Sequence, residues 1–88
     1  MPTVHVSLPA AMTSPEPPAA LECEAGTVGE ALRAAVAQAP RYAQRIFFGE
    51  RLLVSIVVNG RHLEPAEALT TPLAAGDSVD VVPPVAGG

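Results

Sequence analysis

Few residues of this 88-residue chain have types and spacings that could do chemistry, and the most suggestive stand at its end, Pro84-Val85-Ala86-Gly87-Gly88. A free α-carboxyl ionises near pH ~3.5, so Gly88 carries a carboxylate at neutral pH. A carboxylate is a poor acyl donor until something activates it. Gly87 and Gly88 lack a Cβ, so such a terminus can enter a narrow channel and come close to another molecule's reactive atoms. Six residues from Pro83 to Gly88 span up to about 20 Å when extended. Pro83 and Pro84 fix φ and favour an extended start, which lowers the entropy lost on docking. Val85 and Ala86 are sized for small pockets along a channel.

The other reactive side chains form no constellation. Cys23 alternates with Glu22 and Glu24 and falls on the apolar side of a strand pattern, where a small buried hydrophobe is expected. His5 and His62 have no partner at metal-ligand spacing, so no metal site is expected. The acidic residues form no carboxylate pair, and neither a Ser-His-Asp arrangement nor a phosphate-binding loop is present. The chain reads as no enzyme.

Composition narrows the class further. The net charge is -4, with nine acids against five bases, all of them arginine: Arg33, Arg41, Arg45, Arg51 and Arg61. A nucleic-acid backbone needs a basic face, so no nucleic-acid partner is expected. An acidic balance suits docking to a protein with a basic rim. The chain contains no lysine and therefore no side-chain amine. One cysteine excludes an intrachain disulfide. No basic-then-apolar leader and no run of ~20 apolar residues occurs, so the expected location is cytoplasmic, with no membrane partner.

The elements that must carry the tail follow from periodicity. Val4, Val6 and Leu8 alternate with Thr3, His5 and Ser7, which predicts a half-buried strand ended by Pro9. Pro9 to Ala20 holds four prolines and reads as a long, mobile loop. Leu21 to Ala25 reads as a second strand. Thr27 and Glu30 form a capping box, with Glu30 expected to reach back to the Thr27 N–H. Val28, Ala31, Leu32, Ala35, Val36 and Ala39 then make one apolar helical stripe, which Pro40 ends. Tyr42, Ile46 and Phe47 are expected under the end of that helix, and Gly49-Glu50 as a turn. Leu53 to Val58 is a strand, Asn59-Gly60 a type I′ hairpin turn, and Arg61 to Leu63 the return. A connector follows with one helical turn near Ala66 to Ala68, then a Gly76-Asp77 turn that Asp77 stabilises, and a last strand from Ser78 to Val82. The order ββαβββ predicts an α+β domain over residues 1–82, its first and last strands side by side, with an exposed, flexible tail over residues 83–88. Phe48, Val57 and Val82 are candidates for an exposed apolar patch beside the tail, with Arg61 at its rim.

This order, with Val57-Val58-Asn59-Gly60, Thr71-Pro72-Leu73, Gly76-Asp77-Ser78-Val79 and Val82-Pro83-Pro84-Val85-Ala86-Gly87-Gly88, resembles the ubiquitin-like sulfur carriers of MoaD/ThiS type. The resemblance covers the second half of the chain and implies a ubiquitin-like β-grasp fold with a mixed sheet of about five strands. Val4-His5-Val6-Ser7-Leu8-Pro9 is similar to the opening of the cysteine-synthesis carriers.

By that resemblance Gly88 is adenylated at the α-phosphorus of ATP, and a persulfide or sulfide displaces AMP to leave a thiocarboxylate that donates sulfur. No cofactor is bound by the chain; ATP is used by the activating partner. The implied partners are an adenylating enzyme of the ubiquitin-activating type (ThiF/MoeB-like), a sulfur source such as a rhodanese or persulfide, and a downstream sulfur-accepting synthase. The alternatives are the small subunit of molybdopterin synthase, a protein modifier conjugated through Gly88, and a non-covalent binding module.

Overall fold

A computed structural model describes residues 1–83; Pro84, Val85, Ala86, Gly87 and Gly88 lie outside the described residues. Strand β1 (Thr3–Leu8) buries Val4, Val6 and Leu8, as the alternation predicts. It pairs antiparallel with β2 (Ala19–Glu24) and parallel with the last strand, β7 (Ser78–Val82). Strand β5 (Ser55–Val58) pairs antiparallel with β7 and, through the hairpin, with β6 (Arg61–His62). The five-stranded mixed sheet therefore runs β2-β1-β7-β5-β6, with the first and last strands adjacent near its centre.

Helix α2 (Val28–Gln38) covers one face of this sheet and buries Val28, Ala31, Leu32 and Ala35. Each apolar side chain taken fully out of water contributes about 1.5–3 kcal/mol, and the core combines this stripe with Val4, Val6, Ile56, Val79 and Val81. The Thr27 hydroxyl accepts from the Glu30 amide at 3.2 Å, as a capping box requires. Glu30 differs from expectation: its carboxylate accepts from the Gly26 N–H, at 2.8 Å, rather than from the Thr27 N–H. The remaining free amides at this helix end are met from outside the helix. Val28 donates to the Thr71 carbonyl and Gly29 to the Leu69 carbonyl, at 3.0 and 2.9 Å, so the connector between β6 and β7 caps the helix.

Three segments depart from the periodicity. The proline-rich stretch contains a short helix, α1 (Ala10–Thr13), and buries Met12 and Thr13. Its anchoring contacts lie far away in sequence, which local pattern cannot register. Residues 40–52 form a 3-10 turn (Pro40–Tyr42), α3 (Ala43–Ile46) and a separate hairpin of β3 (Phe47–Phe48) and β4 (Arg51–Leu52). Tyr42 and Ile46 pack into the core as expected, and Gly49-Glu50 turns with Gly49 at φ 64°. The strand expected from Leu53 begins only at Ser55, because the Leu53 amide is taken by the Ile46 carbonyl at 2.8 Å. The connector carries α4 (Pro65–Ala68), one residue earlier than the predicted helical turn.

Candidate functional site

The site is built where β7 ends. Because β1 runs parallel to β7, the end of β1 and the loop after it flank Pro83. Because β5 runs antiparallel, its start lies there too, with Ser55 opposite Val82. The hairpin of Phe47–Leu52 leads directly into that start. One end of the molecule thus gathers the proline-rich loop, the 40–52 segment and the point from which residues 84–88 continue.

A groove of about 490 Å³ opens at this end, with walls that include Leu8, Pro9, Ala11, Pro18, Val81 and Pro83. Ser7 and Asp80 are its polar members; they pair in the register of β1 and β7. Five of the eleven lining residues come from the proline-rich stretch, for which the sequence predicts only a long, mobile loop. Four prolines in ten residues were the available signal, since proline supplies rigid apolar surface without a backbone donor.

Glu16 ties the loop to the rest of this end. Its carboxylate accepts from Arg41 Nε at 2.9 Å and from the Tyr42 hydroxyl. Arg45 Nη1 donates to the Met12 carbonyl, and the Thr13 hydroxyl donates to the Glu16 carbonyl at 3.1 Å. The Tyr42 hydroxyl first, and Arg41 second, hold the Glu16 carboxyl below its ordinary range. The expected mobile loop is instead pinned by Met12 in the core and by Glu16 at the surface.

The opposite end is locked by Asn59 and Asp77. The Asn59 side-chain amide donates to Asp77 at 3.0 Å, its oxygen accepts from the Ser78 amide at 2.9 Å, and Asp77 accepts from the Ala74 amide at 2.8 Å. The Ala74 N–H and then the Asn59 amide keep the Asp77 carboxyl below its usual range. Asn59 and Gly60 have φ of 50° and 85°, both positive as a type I′ turn demands.

The expected partner-facing residues do not form one cluster. Phe48 is 75% exposed on the small hairpin, and Val82 is exposed beside Pro83; both belong to the tail end. Val57 is half-buried on the sheet face away from α2, opposite His62 and Asp80. Arg61 pairs with Val58, which is level with Val79, so it lies towards the other end. Cys23 is buried, with Gln38 Nε2 3.6 Å from its sulfur, and burial pushes its thiol pKa up. Among the described residues, no three His, Cys, Asp or Glu side chains converge as metal ligands, and no helix is long and apolar enough to cross a membrane.

A single helix laid across a mixed sheet whose central last strand delivers the C-terminus defines a ubiquitin-like β-grasp protein. Similar solved structures carry the same fold. Small archaeal modifier protein 1 of Methanosarcina acetivorans matches 100% of this chain and 98% of its own, with a TM-score of 0.77 and 25% identity. A chain of the BexX/CysO complex of Amycolatopsis orientalis matches 97% of this chain and 99% of its own, with a TM-score of 0.75 and 26% identity. SAMP1 of Haloferax volcanii gives a TM-score of 0.73 and 27% identity over 98% of this chain and 99% of its own. A candidate sulfur carrier protein of Archaeoglobus fulgidus is 54% identical over 35 residues, a match spanning 40% of this chain and 40% of that protein's length. Residues 14–88 match the ThiS family, and the chain belongs to it.

Proposed function

We propose that this chain is a sulfur carrier whose Gly88 carboxyl is converted to a thiocarboxylate. The observation that carries the proposal is the match to the ThiS family over residues 14–88, which extends through Gly87-Gly88. In the first step a carboxylate oxygen of Gly88 attacks the α-phosphorus of ATP in a partner of the ubiquitin-activating, ThiF/MoeB-like type, and pyrophosphate leaves. Sulfide then displaces AMP from the acyl carbon. Alternatively, the terminal sulfur of a persulfide displaces it, and a second thiol cleaves the resulting S–S bond. Either route leaves the thiocarboxylate, whose sulfur goes on to a biosynthetic acceptor. The carrier supplies the acyl group and a docking body; the partners supply the catalysis. The resemblance of Val4-His5-Val6-Ser7-Leu8-Pro9 to the opening of the cysteine-synthesis carriers supports an acceptor in cysteine synthesis, with a sulfur-containing cofactor or specialised metabolite as the alternatives.

The test is intact-mass measurement after incubation with such an adenylating enzyme, ATP and sulfide. The expected outcome is replacement of one oxygen by sulfur, lost when one residue is appended after Gly88. Absence of the sulfur-bearing species with an enzyme that thiolates its own carrier would refute the proposal. A second use, conjugation of Gly88 to lysines of other proteins, is favoured by the likeness to small archaeal modifier protein 1, and tail remnants on cellular lysines would reveal it.

A further inference from the structure

We infer that this chain is built to be an acyl donor only: the end of the molecule that bears the activated carboxyl holds no side-chain amine or accessible thiol to intercept it, in its own chain or in another copy. The inference rests on the proposed activation of Gly88 and adds to it a constraint on the rest of the surface. An acyl-adenylate, thioester or thiocarboxylate is consumed when an amine attacks its carbonyl carbon. The C–N bond forms, AMP, thiol or sulfide leaves, and the amine's proton goes to solvent. Such a loss is fastest from a group tethered within reach, because a short tether gives its end an effective concentration of about millimolar.

Three observations remove the competitors. All five basic side chains are arginine, which stays protonated and does not attack acyl groups. The one thiol, Cys23, is 3% exposed among core residues under α2. An α-amine at Met1, 81% exposed, would stand at the wrong end of the sheet. Because β1 is parallel to β7 with His5 opposite Ser78, Met1 lies four residues before that pair and Pro83 five residues after it. Nine strand steps are about 30 Å. The five residues beyond Pro83 reach at most about 17 Å. Acyl-imidazoles formed with His5 or His62 would hydrolyse back to the carboxylate and leave no adduct.

The surface around Pro83 has space for lysine. Ala20 is exposed, lines the groove, and shares the Ser7 and Asp80 row of the sheet. The experiment uses the 88-residue chain as a C-terminal alkyl thioester made by intein thiolysis, so no activating enzyme is needed and failure of the sulfur-carrier proposal cannot be mistaken for failure here. Wild type, Ala20→Lys, Ala20→Arg and Ala75→Lys are incubated at pH 8 and about 10 µM, and intact mass follows the species that has lost the thiol without gaining water. Ala75 is exposed in the turn beside Gly76, at the Met1 end.

Wild type, Ala20→Arg and Ala75→Lys should give only hydrolysed chain. Ala20→Lys should cyclise about 100-fold faster than any copy-to-copy adduct, the ratio of millimolar tethered to micromolar free amine. Matched thermal melting establishes that the variants are folded. Wild type forming amide-linked products as fast as Ala20→Lys would overturn the inference, as would an Ala20→Lys chain no more reactive than Ala75→Lys.

Discussion

At the scale of single residues, two positions carry more than their residue types announce. Gly29 sits in the first turn of α2, where alanine would ordinarily raise helix stability by up to ~1 kcal/mol. A Cβ there would stand 2.8 Å from the Leu69 carbonyl oxygen, a backbone atom that also accepts the Gly29 N–H. The close approach outweighs propensity, because relieving it means parting the helix from the connector that caps it. Gly29→Ala should therefore lose about 1–3 kcal/mol of stability in urea unfolding. Glu16 is the second case. Its carboxyl is held below the ordinary value of 4.5 in the folded chain, so the charged form is the one the fold favours. The contribution is fully present above that value and is lost as pH falls through the lower folded value. Amide exchange over residues 10–18 should thus be slow at pH 7, quicken selectively in acid after correction for intrinsic rates, and be fast already at pH 7 in Glu16→Gln.

At the scale of elements, the Asn59-Asp77 lock joins the β5–β6 hairpin to the turn before β7, two turns 18 residues apart. Asn59→Gly keeps the positive φ but removes the two side-chain hydrogen bonds to Asp77 and Ser78; Asn59→Ala also forces φ 50° on a residue that resists it. The expected losses are about 1 kcal/mol for glycine and about 2 kcal/mol for alanine, measured by chemical denaturation. Asn59→Ala combined with Asp77→Ala should cost less than the sum, since both remove one bond. These same elements show what sequence made legible. Period-two alternation in β1, the mostly apolar run of β7, the stripe of α2 and the Asn59-Gly60 turn are all legible because each is decided by neighbours within a few residues. The lock itself was half visible: Asp77 was expected to hold its own turn, but not to reach Asn59. The fixed conformation of the proline-rich stretch is not legible locally, because Met12 and Glu16 are held by residues 25 to 33 positions away, at Tyr42, Arg41 and Arg45. The groove went unseen for the same reason, whereas the tail residues proposed to carry sulfur were read from Gly87-Gly88 and the surrounding motifs alone.

At the scale of the whole molecule, the fold has two ends with different duties. One is closed by the Asn59-Asp77 lock and the start of β1. The other assembles the groove, the Phe48 hairpin and Pro83. A partner that takes the terminus into its active site is limited by the ~20 Å reach of residues 83–88, so its surface must come against this second end. Apolar anchors near the centre of such a contact carry most of its energy, while charges farther out add little. Val82 beside Pro83 and Phe48 on the hairpin are the exposed anchors there, and Arg61 lies towards the lock. Val82→Asp and Phe48→Asp should each raise the KM for thiolation by an activating enzyme about tenfold, with little change in kcat or melting temperature, since neither side chain is in the core. Arg61→Glu should leave KM within about twofold, because long-range charge is screened beyond ~8 Å at physiological salt. Equal effects from Arg61→Glu and Val82→Asp would instead mean that the contact extends past the tail end to the β5–β6 hairpin, where Arg61 pairs with Val58.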